Sequence, residues 1–165
     1  MTREELNTII TKELRPFGIE KAELGREFQY EYETDVITFC IVPDYTDRYF
    51  TDFLNDRFDY EDNYPFVMSL LHELGHKENN DDVEGDVYAF CVGEKYKIAN
   101  DINDCDDDDR MKLLYYRYFS LPDEIMATSW AINYAKKHIK QVKRWEQMFS
   151  QAIEEYTSDH TNELI

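Results

Sequence analysis

The chain is short of cysteine, of basic residues and of long apolar runs, and each shortage removes a class of protein. Its three cysteines, Cys40, Cys91 and Cys105, form no CxxC pair and leave an odd count. That argues against a disulfide framework and for free thiols in a reducing compartment. No stretch approaches the roughly 18 apolar residues that a membrane span needs. The opening MTREELNTII carries early acids and no apolar run, unlike a signal peptide. A cytoplasmic location without membrane attachment is expected. Lys and Arg number 18 against 36 Asp and Glu, a formal net charge of -18. Direct binding to nucleic acid or to an anionic membrane surface is therefore not expected, whereas solubility or a basic protein partner is.

What is present is aromatic. Thirteen Tyr and ten Phe, with 42% hydrophobic residues in a chain of 165, argue for a globular protein with a sizeable core. One domain over 1–165 is expected, with a polar, mobile tail from about residue 158.

The most informative stretch is His72-Glu73-Leu74-Gly75-His76. Two histidines four apart on a helix lie one turn from each other, so both imidazoles can reach one metal ion, with the glutamate between them at its side. Asn63 and Pro65 make a helix start, and Val67, Leu70, Leu71 and Leu74 form an apolar stripe nearly opposite the histidines. Such a helix is anchored on one face and free for chemistry on the other. The competing reading is a surface helix with solvated histidines.

Catalytic zinc needs a third protein ligand and one position left open. The candidate is Glu124 in SLPDEIMATSWAINYAKKH, where Leu121-Pro122-Asp123 reads as a helix entrance. Glu124 shares a face with Ala127, Thr128, Ala131 and Ala135, small enough for close approach to the histidine helix. Thr128, one turn on, can hydrogen bond a ligand. Glu84, Asp86, Glu94 and Asp123 are rival ligands, and an ordinary acid at a helix N-terminus is the bland alternative for Glu124.

Elsewhere, Thr2 and Glu5 read as a capping box for a helix with Leu6, Ile9, Ile10 and Leu14 inward. FQYEYET and DVITFCIVP read as two strands, with a hairpin around Thr34-Asp35 and the second strand, Val36 to Val42, as an edge that could pair with extended substrate or simply pack under the helices. Residues 44 to 62 suggest an amphipathic helix with Tyr49, Phe50, Phe53, Leu54 and Phe58 inward. The segment VEGDVYAFCVGEKYKIAND suggests another, with Val83, Val87, Phe90, Cys91 and Ile98 inward. INDCDDDDR lacks the glycine and glutamate of an EF-hand loop, with Asp109 and Tyr115 in their places, so it reads as an acidic start to a helix through Met111, Leu113, Leu114 and Tyr118. The last stretch is a long helix with Ile139, Val142, Trp145, Met148, Phe149 and Ile153 inward and a cluster of Lys136, Lys137, Lys140, Lys143 and Arg144 that could pair with Asp106 to Asp109. The expected class is α+β: a mostly helical single domain with a small antiparallel sheet next to the metal helix.

HELGH followed by a helix of the form E..A..WA resembles the gluzincin metallopeptidases, and among them the ImmA/IrrE type of phages, mobile elements and bacterial stress regulation. The likeness covers His72 to His76 and Glu124 to Ala131. Thr128 stands where asparagine is common, and no helix-turn-helix segment is evident. The resemblance implies His72, His76 and Glu124 as zinc ligands, Glu73 as general base, and a protein or peptide substrate such as a regulator or repressor. The partner of the developing oxyanion is left among Tyr115, Tyr116 and Tyr118, with core aromatics as their competing role. A second class of function fits the charge instead, an acidic inhibitor or nucleic-acid mimic that occupies a basic groove on a zincin scaffold.

Overall fold

The structure, a computed structural model, describes residues 1–42, 45–79 and 85–161, with the side chains of 45–47 outside the description. Among these residues the chain is mostly helical, with seven α-helices and one three-stranded mixed sheet. Val83, Glu84 and Pro43, which the sequence reading used, lie outside the described residues.

Helix α1 (Arg3–Leu14) starts at the capping box: Thr2 accepts from the Glu5 amide, and the Glu5 side chain accepts from the Thr2 amide. Its buried face, Leu6, Ile10 and Leu14, packs on strand β1 (Lys21–Leu24). Polar groups inside this contact find partners across it. Asn7 Oδ1 accepts from the Leu24 amide at 2.8 Å, and Thr11 Oγ1 accepts from the Ala22 amide at 2.8 Å. Strand β2 (Gln29–Glu31) turns into strand β3 (Val36–Phe39) through Asp35, whose φ of 53° supplies the left-handed residue the turn needs. The Asp35 carboxylate accepts from Tyr30 Oη at 2.6 Å.

The sheet order is β1-β3-β2, with β3 antiparallel to β2 and parallel to β1. This corrects two expectations. The sheet is mixed because β1, a short strand with two charged residues, adds to the far side of the hairpin. The 36–39 strand is consequently central, its Ile37 and Phe39 fully buried, and β1 and β2 are the edges.

Helix α2 (Tyr45–Phe58) ends in a left-handed Asp59, with the Tyr60 amide returning to the Leu54 carbonyl. Tyr49, Phe50, Phe53 and Leu54 are buried as expected. Helix α3 (Pro65–Glu78) begins with proline at its first position, which gives up no helical hydrogen bond there. Its Val67, Leu70, Leu71 and Leu74 are fully buried. Helix α4 (Gly85–Asn103) buries Cys91 and Ile98, but Val87 and Phe90 are exposed, because the first turns of α4 stand clear of the body. Helix α5 (Asp108–Phe119) is capped by Asp107, whose carboxylate accepts from the Asp109 and Arg110 amides; this is the use of the acidic run. Leu114 is buried and Leu113 exposed.

Helix α6 (Pro122–Lys137) is separated by a break at His138 from α7 (Ile139–Asp159). Val142, Trp145 and Phe149 close the core, while Ile139 is exposed. The helix continues to Asp159 and His160 bonds the Tyr156 carbonyl, so helical structure covers the first residues of the expected tail. Arg144 pairs with Glu13 at 2.6 Å, on α1 rather than in the Asp run.

The tightest packing is between α3 and α6. A Cβ built on Gly75 would lie 2.4 Å from the Ala127 carbonyl oxygen and 2.8 Å from its Cα, so only glycine fits there. Gly75→Ala should cost about 1–3 kcal/mol or more, since the obstacle is backbone. Gly93 of α4 has no described residue within 4 Å of the same position, so Gly93→Ala should stabilise by about 0.5–1 kcal/mol through helix propensity. Urea unfolding of the two variants against the parent chain checks both signs.

Candidate metal centre

Close approach of α3 and α6 brings together the three side chains expected as ligands. Glu124 Oε2 lies 2.7 Å from His72 Nε2 and 3.2 Å from His76 Nε2, and the two imidazole rings stand at 90° with centroids 4.8 Å apart. Glu124 and Thr128 are buried, as are Ala127, Ala131 and Ala135 along the same face. Glu73 is also buried, and one ligand atom from each of His72, Glu73 and His76 falls within a 4.8 Å set.

The donor set fits zinc. Two imidazole nitrogens and one carboxylate oxygen are the ligand types of a catalytic zinc site, and tetrahedral legs of about 2.0–2.1 Å separate neighbouring ligands by about 3.3 Å. The His76 contact, at 3.2 Å, matches that spacing, and the His72 contact, at 2.7 Å, is about 0.6 Å shorter. Thr128 Oγ1 lies 3.1 Å from His72 Nδ1, so the ring nitrogen that does not face Glu124 has a fixed partner. Phe50 packs edge-on against the same ring at 5.0 Å.

The rivals of Glu124 separate on geometry. Glu94 is engaged by Lys97 at 3.2 Å and Arg117 at 2.9 Å. Asp86 sits in the exposed first turn of α4, and Glu84 lies outside the described residues. Asp123 remains close: it forms a second ligand-type group with His76 and Glu124, its Oδ2 bonds Lys95, and its buried Oδ1 has no hydrogen-bond partner among the described residues.

Of the three tyrosines, Tyr116 is turned away, its hydroxyl donating to Asp56 at 2.6 Å. Tyr115 and Tyr118 both line the cavity over the site. Burial, followed by the nearby Glu124 carboxylate, pushes the Tyr118 phenol above its ordinary range, so it stays protonated and able to donate.

Sequence reasoning did not find Lys95. Its Nζ lies 2.8 Å from Glu124 Oε1, also bonds Asp123, and sits 5.4 Å above the Tyr118 ring. A signal was available, since Lys95 falls between Cys91 and Ile98 on the buried stripe of α4.

The cavity has a volume of about 630 Å³. Phe28, Gln29, Tyr30 and Tyr32 from the β2 hairpin form one wall; Tyr88, Lys95, Ala99 and Ile102 of α4 form the other. His72, Glu73, His76 and Glu124 line the same cavity.

No protein-family model, curated protein or solved structure matches the chain.

Charge is tightly coupled at the site. Burial favours neutral His76, but the Glu124 carboxylate outweighs it and pushes the imidazole up to about 9. Burial likewise opposes the charge on Glu124, yet His76 and then His72 hold its carboxyl well below the usual range. A histidine with a raised folded pKa contributes stability that is fully present below its unfolded value of about 6.5 and is lost as pH rises through the folded one. Chelator-treated protein should therefore become less stable between about pH 6.5 and pH 9. The depressed Glu124 acts in the opposite direction, its contribution being lost as pH falls through its folded pKa. Thermal melts across this range, with chelator present, check the basic limb.

Proposed function

We propose that the chain is a zinc-dependent peptidase of the gluzincin type that cleaves an extended segment of a protein substrate in the cytoplasm. The observation that carries this reading is the convergence of Glu124 with His72, 52 residues away in sequence, and His76, on two helices at an open cavity. An ordinary acid at a helix N-terminus would face water. Glu124 is instead 2% exposed, with one oxygen facing the imidazoles.

His72, His76 and Glu124 would hold the ion, which when bound supplies a Lewis acid that polarises the scissile carbonyl and makes water a competent nucleophile. The other groups have separate tasks. Glu73, one residue from a ligand, is placed to take a proton and return it to the leaving amine. Tyr118 offers its hydroxyl to an oxygen that gains charge, whereas Tyr116 is committed to Asp56. Strand β2 carries the substrate side of the reading. It is one of the two edge strands, the one that lines the cavity, so an extended chain can add to it by backbone hydrogen bonds directly beside the site. The strong negative charge favours basic substrates through long-range attraction.

The test separates catalysis from scaffold. Wild-type protein purified without chelator should contain one zinc per chain by metal analysis and generate new N-termini in a degenerate peptide library read by mass spectrometry. Glu73→Gln should keep the zinc and lose about 10²- to 10⁴-fold in cleavage rate, whereas Glu124→Ala should lose the metal itself. Zinc-free wild-type protein would sink the reading. Zinc without cleavage by wild type, accompanied by inhibition of a basic partner that Glu73→Gln retains, would favour the inhibitor alternative.

The tyrosines give a narrower test. Tyr118→Phe should lower kcat with little change in zinc content, and Tyr116→Phe should leave kcat near wild type.

A further inference from the structure

The carboxylate of Glu124 has two oxygens, and only one of them faces the histidines. We propose that Lys95 is a positioning residue that holds Oε1 aside, so that Glu124 presents the single oxygen Oε2 to an ion bound by His72 and His76. The inference rests on the zinc reading and extends it to the manner of ligation.

Three observations carry it. First, the contacts divide cleanly between the two oxygens: Oε1 meets Lys95 Nζ at 2.8 Å, and Oε2 meets the imidazole nitrogens at 2.7 and 3.2 Å. The carboxylate is thus held from opposite sides by α4 and α3. Second, the lysine is not free to wander. Its neighbours one turn to each side, Cys91 and Ile98, are buried at 1% and 0% exposure, and its ammonium is tied to Asp123 and lies over the Tyr118 ring. Third, pinning α4 to α6 needs only the Asp123 contact. The additional bond to Oε1 is what a helix-pinning role leaves unexplained.

Without Lys95 the carboxylate can rotate about its last torsion and offer both oxygens. A two-oxygen carboxylate raises the coordination number and occupies space that water and substrate require. A neutral side chain of similar length would also remove the hydrogen bond that orients the ligand, a change that typically weakens metal binding about 10- to 100-fold.

The experiment uses the full chain, stripped with chelator and reloaded with Co²⁺ or Zn²⁺. Wild-type protein should show the intense visible bands of four-coordinate Co²⁺. Lys95→Met, shown to be folded by circular dichroism, should show the weaker bands of a higher coordination number and a zinc affinity about 10- to 100-fold lower in competition with a chromogenic chelator. Lys95→Arg, which keeps the charge and the donor, should retain the wild-type spectrum. A folded Lys95→Met with wild-type bands and affinity overturns the inference while leaving the zinc reading standing. X-ray absorption of zinc-loaded wild type needs no variant, and a two-oxygen carboxylate seen there also overturns the inference. Wild-type protein that takes up neither ion overturns both.

Discussion

The contact between Gly75 and the backbone of Ala127 is the constraint on which the site depends. A glutamate side chain is short, so a carboxylate on one helix reaches histidines on another only where the two backbones nearly touch. Glycine on α3 and alanines on α6 remove the side chains that would hold them apart. The fully buried Val67, Leu70, Leu71 and Leu74 fix α3 from behind. Position and chemistry therefore come from the same packing: the residues that lack bulk determine where the reactive ones meet.

Burial then intensifies what packing has assembled. Glu124, His72, His76, Lys95 and Asp123 crowd a site mostly withdrawn from water, where the two unlike signs stabilise each other strongly. The raised basicity of His76 and the depressed pKa of Glu124 express one interaction from its two ends. Asp123 Oδ1 is buried without a hydrogen-bond partner among the described residues.

Much of this was legible in the sequence, and the reasons are local. The histidine helix and the small face of Glu124 follow from helical periodicity, the Thr2 cap from side-chain chemistry within one turn, and the acidic start of α5 from the Asp run before it. Features set by distant parts of the chain were not. The place of β1 beside β3 is a tertiary choice that four residues with two charges do not announce. Lys95 is a lysine on a buried stripe, costly until two carboxylates from another helix are placed around it. Tyr115, Tyr116 and Tyr118 differ in fate because of how α5 is rotated against α2, where Asp56 claims Tyr116. The exposed Val87 and Phe90 continue an apolar pattern past the point where α4 still has something to pack on.

The hydroxyl of Thr128 has a consequence of its own. Facing His72 Nδ1 at 3.1 Å, it can donate to an unprotonated nitrogen or accept from a protonated one. When His72 Nε2 bears the hydrogen and gives it to Glu124, Thr128 donates. When Nε2 offers its lone pair to an ion, Nδ1 carries the hydrogen and Thr128 accepts. A carboxylate in that position accepts only and would favour the second tautomer alone. Two tautomers of one ring can thus be accommodated by turning a single O–H bond, with every heavy atom in place.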